Sequence, residues 1–215
     1  MYLVHMRLDI CYTVNALSQF MSDLKHIQWV AAKHVLRYVR GTITYGLRYT
    51  SSSGVLLAGY ADSDWAGSVV DRKSTSGYCF NTRSVIISWS SRKQGSIAQS
   101  TAEAEYIAAS DACKEVVWLR KILSDLFEGK LDSTIIHWDN QSCINLAENP
   151  VFHDRSKHIE MRYHFIRDLV QKGALKLQYI CMNEQITDIL TKPLTTSKFV
   201  YFRDKLGMAE NASLA

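Results

Sequence analysis

The stretch from residue 55 to residue 91 constrains the fold most. It holds three short runs of β-type residues, "VLLAGYAD", "SGYCFNTR" and "VIISWSS", separated by turn residues, and reads as a meander. A long helical stretch from about Thr101 to Phe127 follows. "STIIHWD" then reads as a fourth strand, and a short helix runs to the Glu148-Asn149-Pro150 stop. "KHIEMRYHFIRDLVQKG" is amphipathic, with Ile159, Tyr163, Ile166 and Val170 on one face and Gly173 ending it. "ALKLQYI" is a fifth strand, and a last helical piece, "NEQITDILTK", stops at Pro193. Upstream, residues 18–40 read as one helix with Ile27, Val30, His34, Val35 and Tyr38 at helical spacing and Gly41 at its cap. "TSSSG" at 50–54 marks the boundary between that segment and the rest. The pattern predicts an α/β fold: a mixed five-stranded sheet with helices packed on its faces.

Length and composition remove several alternatives. The 215 residues suffice for one good-sized domain with an appendage. Hydrophobic residues at 47% and charged residues at 21% exclude a disordered chain. No apolar run approaches a membrane span and no signal peptide is evident, so an intracellular, non-secreted protein with no membrane partner is expected. The five cysteines are scattered and form no C-x-x-C, which favours reduced thiols over disulfides or a zinc knuckle. A net charge of +4 is compatible with a nucleic-acid partner but too mild to argue for one.

Four acidic residues sit at the ends of elements where such a layout can gather them: Asp62, Glu105, Asp139 and Asp188. Hard divalent cations take oxygen ligands, and Mg²⁺ is commonly held by a few carboxylates plus substrate phosphate oxygens. Each residue also has a plainer reading. Asp139 before "NQS" fits a helix N-cap, Asp188 fits a solvated helix charge, and Asp62 competes with Asp64 on the same side of the strand. Glu105 is the most informative of the four. At 100° per residue it shares a face with Ala109, Ala112 and Val116, whereas Glu103 lines up with Ile107, Ser110 and Lys114 and is expected to face solvent. A carboxylate on a small apolar face is costly unless paired or bound to a metal, although a half-exposed helix N-terminal Glu is the alternative.

His153, His158 and His164 gather near Asp154 and Glu160 but match no helical ligand pair and have no cysteine beside them, so they read as solvated or packing residues. Basic residues cluster in "DRKSTSGY" and "SWSSRKQGS", close to where the acids belong; they suit phosphate contacts or simple solvation.

Four segments together resemble the ribonuclease H domain of copia-type LTR retrotransposon Pol polyproteins. They are "GYADSDWAGSVVDRKSTSGYCF", "ISWSSRKQGSIAQSTAEAEYIAAS", "WDNQSCINLAENPVFHDRSKHIEMRYHFIRD" and "EQITDILTKPL". They follow the family's order and cover residues 56–194 almost without gaps. The upstream "RLDICYTVNALSQFMSDLKHIQWVAAKHVLRYVRGTITYGLRY" is similar to the end of the family's reverse transcriptase, with Arg7-Leu8-Asp9-Ile10 in place of the usual R-P-D-I. The resemblance implies three segments: a helical reverse transcriptase remnant at 1–50, a ribonuclease H-like domain at 54–194 and a C-terminal helix or tail at 195–215.

The resemblance also implies a four-acid metal site of Asp62, Glu105, Asp139 and Asp188, holding two Mg²⁺ ions for which Mn²⁺ can substitute. It implies cleavage of the RNA strand of an RNA–DNA hybrid, with Arg72, Lys73, Arg92, Lys93, Asn140 and Gln141 as candidate substrate contacts. The histidine that some cellular ribonucleases H carry before the last aspartate has no counterpart in "YICMNEQITD". Without a Y-x-D-D strand, no polymerase activity is expected of the chain, and an initial methionine at this point suggests a truncated or degenerate copy of an element. The expected partners are the hybrid and the rest of a Pol polyprotein or its reverse transcriptase. The expected location is cytoplasmic, in the family's virus-like particles, or nuclear. The competing expectation is a catalytically inactive nucleic-acid-binding remnant.

Overall fold

The computed structural model describes residues 2–49, 56–83, 85–129, 131–148 and 160–211. In chain order the elements are α1 (Cys11–Ser18), α2 (His26–Gly41), β1 (Tyr45–Leu47), β2 (Leu57–Ser63), β3 (Thr75–Thr82) and β4 (Val85–Lys93). Then come α3 (Thr101–Phe127), β5 (Thr134–Trp138), α4 (Gln141–Glu148), α5 (Glu160–Gln171), β6 (Leu175–Tyr179), α6 (Asp188–Thr191), α7 (Thr196–Lys205) and β7 (Met208–Glu210). The main sheet has the order β4-β3-β2-β5-β6. β2, β3 and β4 pair antiparallel as the expected meander, while β5 and β6 add parallel strands beside β2. The mixed five-stranded sheet expected from the sequence is therefore present.

Each face of that sheet has its own core. On one side α3 lays Ala109, Ala112, Val116, Leu119 and Leu123, a helical stripe, over Leu57, Ala61, Phe80, Ile136 and Trp138. On the other side Cys79 and Ile86 pack against Ile189 and Leu190 of α6 and Phe202, Leu206 and Met208. Leu8, fully buried, belongs to this second core. β1 pairs with β7, so the segment after α2 is tied to the segment after α7.

Several expectations change at this level. The helix expected over residues 18–40 starts later, at His26 (α2), after non-helical residues 19–25, and a separate helix, α1, precedes it over Cys11–Ser18. α2 begins where Gln28 Oε1 accepts the backbone N–H of Lys25, an end-cap that no Pro or Gly announces. Gly41 is the last helical residue, and Thr42 makes the cap through its N–H to the Val39 carbonyl. The last helix expected over 183–192 contracts to the four residues of α6. The upstream segment also contributes more than an add-on would. Leu8 enters the core, and Trp89 Nε1 donates to the Val4 carbonyl at 3.0 Å, although Trp29 and Leu36 are exposed. "TSSSG" at 50–54, Ile159, and His153, Asp154 and His158 lie outside the described residues. All five cysteines are free, and among the described residues no helix is long and apolar enough to cross a membrane.

Candidate metal centre

Tyr60 lies beside His137 in the parallel β2–β5 pair, so two residues further on Asp62 and Asp139 follow just past the end of that pairing. Carboxyl ends of parallel strands are where open α/β sheets present functional groups. Glu105, in the second turn of α3, reaches the same place. One carboxylate oxygen each of Asp62, Glu105 and Asp139 lies within 4.8 Å of the other two. Asp62 and Glu105 are buried and Asp139 is half-buried. Neutral donors hold two of the acids: Trp138 Nε1 donates to Glu105 Oε2 at 2.7 Å, and the Thr191 hydroxyl donates to Asp62 Oδ2.

The electrostatics of the trio are unfavourable as it stands. Burial pushes the Asp62 carboxyl up to about 7, against the pull of Lys192 and with the repulsion of Asp188 and Asp139. Glu105 is raised well above the ordinary carboxylate range by burial and then by the Asp62 charge. Burial also raises Asp139, with Lys192 opposing. Like charges taken out of water favour the protonated acid unless a cation compensates them. Three oxygen donors with no nitrogen or sulfur among them suit a hard divalent cation such as Mg²⁺.

The fourth acid stands differently. Asp188, 1% exposed at the start of α6, is outside the trio's 4.8 Å grouping. Its Oδ1 lies 2.7 Å from Lys192 Nζ and its Oδ2 3.2 Å from Lys198 Nζ. Lys192 Nζ is also 4.0 Å from Asp62 Oδ2. α6 approaches this closely because β3 has Gly77 opposite Asp62: a Cβ there would meet Thr191 Cγ2 at 2.6 Å and Leu190 Cβ at 3.0 Å.

The helix phase of α3 is half as expected. Glu105 does share its buried face with Ala109, Ala112 and Val116. Glu103 does not face solvent: it is 8% exposed, with Ile107 and Ser110 also buried. Its Oε2 accepts the Gln99 N–H at 2.7 Å, while Ser100 Oγ accepts the Glu103 N–H at 3.1 Å. The four residues Ser100-Thr101-Ala102-Glu103 carry the S-x-x-E capping signature, which was legible in the sequence. The cap suggested for Asp139 falls to its neighbour, since Asn140 Oδ1 accepts the Cys143 N–H at 3.0 Å and starts α4.

Among the other expected contacts, Arg72 and Arg92 are exposed. Lys93 pairs with Asp71 at 2.8 Å, Lys73 donates to the Gly95 carbonyl at 2.7 Å, and Gln141 donates to Asn145 at 3.0 Å. His164 is exposed and packs edge-on against Tyr163. Sequence reasoning missed Trp138, Thr191 and Lys192. Of these only Lys192 left a signal, its position four residues after Asp188 in a helical piece.

Set against solved structures, the chain superposes on an RNase H1 isolated from compost, LC11-RNase H1, with a TM-score of 0.50 and 15% identity. The match takes in 64% of this chain and 94% of that one, and it shows a ribonuclease H-like fold. No family model matches the chain. It is 41% identical over 209 residues to the retrovirus-related Pol polyprotein from transposon RE1 of Arabidopsis thaliana, covering 96% of this chain. It is 40% identical over 205 residues to that from transposon TNT 1-94 of Nicotiana tabacum, covering 95% of this chain. The chain belongs to the copia-type retrotransposon Pol polyproteins. It spans 14% of the length of the first of these relatives and 15% of the second.

Proposed function

We propose that the chain is a metal-dependent endonuclease that hydrolyses the RNA strand of RNA–DNA hybrids, as part or remnant of a Pol polyprotein. The observation that carries this reading is the meeting of three buried or half-buried carboxylates within 4.8 Å beside the carboxyl ends of β2 and β5, two of them, Asp62 and Glu105, held by neutral donors. Asp62, Glu105 and Asp139 would hold Mg²⁺, or Mn²⁺ in its place, with Asp188 as the fourth ligand. Two such ions supply an activated water and stabilise the departing 3′ oxygen of a phosphodiester.

The chain's own residues prepare the site. Trp138 and Thr191 fix the orientation of Glu105 and Asp62, as second-layer donors do in metal sites. Exposed Arg72 and Arg92, with Lys73, Lys93, Asn140 and Gln141, would contact phosphates and sugars. Preference for RNA would rest on the 2′-hydroxyl, which DNA lacks. Residues 1–50, 54–194 and 195–215 would correspond to the reverse transcriptase remnant, the nuclease domain and a C-terminal tail, although the first and last share a core and a strand pair.

The test is a gel assay of the full chain on three labelled substrates with Mg²⁺ or EDTA: a hybrid, a hybrid with 2′-deoxy substitutions in its RNA strand, and duplex DNA. Cutting should need Mg²⁺ and should occur only beside ribonucleotides. Equal cutting of duplex DNA would point to a DNA nuclease on the same fold. No cutting of any substrate would point to the inactive nucleic-acid-binding remnant.

A further inference from the structure

Two of the four carboxylates already share a cation, and it belongs to the protein. Lys192 Nζ lies 2.7 Å from Asp188 Oδ1 and 4.0 Å from Asp62 Oδ2, with its side chain 33% exposed. Lys198 holds the other Asp188 oxygen at 3.2 Å. Asp188 Oδ1 is shielded from solvent and has no aligned hydrogen-bond donor even so, which makes its contact with Lys192 ionic rather than directional. The arrangement divides the labour. Lys198 secures the outer oxygen of Asp188, while Lys192 stands between Asp188 and Asp62, facing the trio. Lys192 is also the charge that opposes the rise of both Asp62 and Asp139.

We infer that Lys192 is a resident counter-cation: it compensates the Asp62–Asp188 side of the site in the metal-free protein and must swing aside when a divalent cation bridges those carboxylates. This rests on the metal-site reading above. The alternative is an ordinary structural ion pair, and the two differ in sign. A structural pair would, on removal, weaken the fold and leave metal affinity the same or poorer. A resident counter-cation competes with metal, so its removal must tighten metal binding. An ammonium a few ångströms from a divalent ion, at an effective dielectric of about 20 and partly relieved by moving away, corresponds to roughly a tenfold change in affinity. Arginine at the same position keeps the charge but grips carboxylates with a planar fork that is harder to displace. It should therefore change affinity in the opposite direction.

The experiment is a Mn²⁺ titration of the full chain, with free Mn²⁺ read by electron paramagnetic resonance, for wild type, Lys192→Gln, Lys192→Arg and Asp139→Asn. Thermal unfolding of the first two in EDTA and at saturating Mn²⁺ accompanies it. Wild type should bind Mn²⁺ and Asp139→Asn should bind it poorly, Lys192→Gln should bind about tenfold more tightly, and Lys192→Arg more weakly. Lys192→Gln should melt below wild type in EDTA and regain the difference in saturating Mn²⁺. If Asp139→Asn loses binding but Lys192→Gln is unchanged or weaker, the counter-cation inference fails and the metal site stands. Should Lys192→Gln not fold, Lys192→Arg binding Mn²⁺ as tightly as wild type, or more tightly, is enough to overturn the inference. Absence of Mn²⁺ binding in wild type, or binding indifferent to Asp139→Asn, overturns the metal reading and the inference with it.

Discussion

Two buried polar clusters in this molecule solve opposite problems. Near the N-terminus, Arg7 and Asp9 form a two-point ion pair, with Nε to Oδ1 at 3.0 Å and a terminal nitrogen to Oδ2 at 2.8 Å. Thr42 accepts from Arg7 through both its carbonyl and its hydroxyl, and the Tyr38 hydroxyl donates to Asp9 at 2.7 Å. The Asp9 partner holds the Arg7 guanidinium above its usual range despite burial. At the sheet's end, Asp62, Glu105 and Asp139 meet with like charges, and burial pushes all three upward. The first cluster is complete in itself and pins α2 to the N-terminal segment. The second carries more negative charge than Lys192 offsets, and is balanced only by a further cation or by protons. Burial alone therefore does not distinguish structure from function; charge balance within the cluster does.

Breaking the second cluster should have the largest effect, and on activity. Glu105→Gln keeps the shape but removes a charge, and hybrid cleavage should fall on the order of a thousandfold while the melting temperature in EDTA holds or rises. Activity near wild type in a steady-state cleavage assay would remove Glu105 from the site. Breaking the first should act on stability instead. Arg7→Ala strands Asp9 in the interior and should cost about 3–5 kcal/mol in a urea titration, with or without metal. A cost under about 1 kcal/mol would mean that the Arg7–Asp9 pair does not hold the segment.

The acid cluster should also carry a pH signature. Asp62 titrates at about 7 in the folded, metal-free protein, against about 4 in an unfolded chain. The folded state thus binds that proton more tightly. Its contribution is full below about pH 4 and is lost as pH rises through 7. In EDTA, Asp62→Asn should therefore gain on wild type between pH 5 and pH 8, by on the order of 2 kcal/mol. A constant difference across that range would mean that Asp62 is not destabilised in its charged form. The smallest effect belongs to Glu103→Ala, which removes one half of the helix cap. It should cost about 1 kcal/mol and leave turnover per folded molecule intact. A loss of turnover as large as that of Glu105→Gln would place Glu103 in the site.

Most of this contrast could be read from the chain, and the parts that could not have physical reasons. Strand alternation and the 100° helix step placed Asp62, Asp139 and Glu105 at element ends and on the apolar face of α3, because local geometry decides those positions. The same step misplaced Glu103. Helical phase says nothing about a side chain folding back to cap its own first turn, although the S-x-x-E pattern does. The β1–β7 ribbon, three residues a side, joins Tyr45 to the distant Glu210, and so short a pairing leaves no periodicity to read. Lys192 escaped because its role arises from contact with β2 across the sheet, through the space that Gly77 leaves open. The Arg7–Asp9 pair was visible as a motif, but nothing local indicated that Tyr38 and Thr42 would close around it.

The most direct test of the contrast is the rise in melting temperature on adding Mg²⁺ to wild type, Asp139→Asn and Arg7→Ala. A ligand that binds only the folded state adds about 2.7 kcal/mol at a hundred times its dissociation constant. The account predicts a saturable rise in wild type, an equal rise from a lower baseline in Arg7→Ala, and almost none in Asp139→Asn. An undiminished rise in Asp139→Asn would contradict it, because the cation would then be binding somewhere other than the meeting point of the three carboxylates.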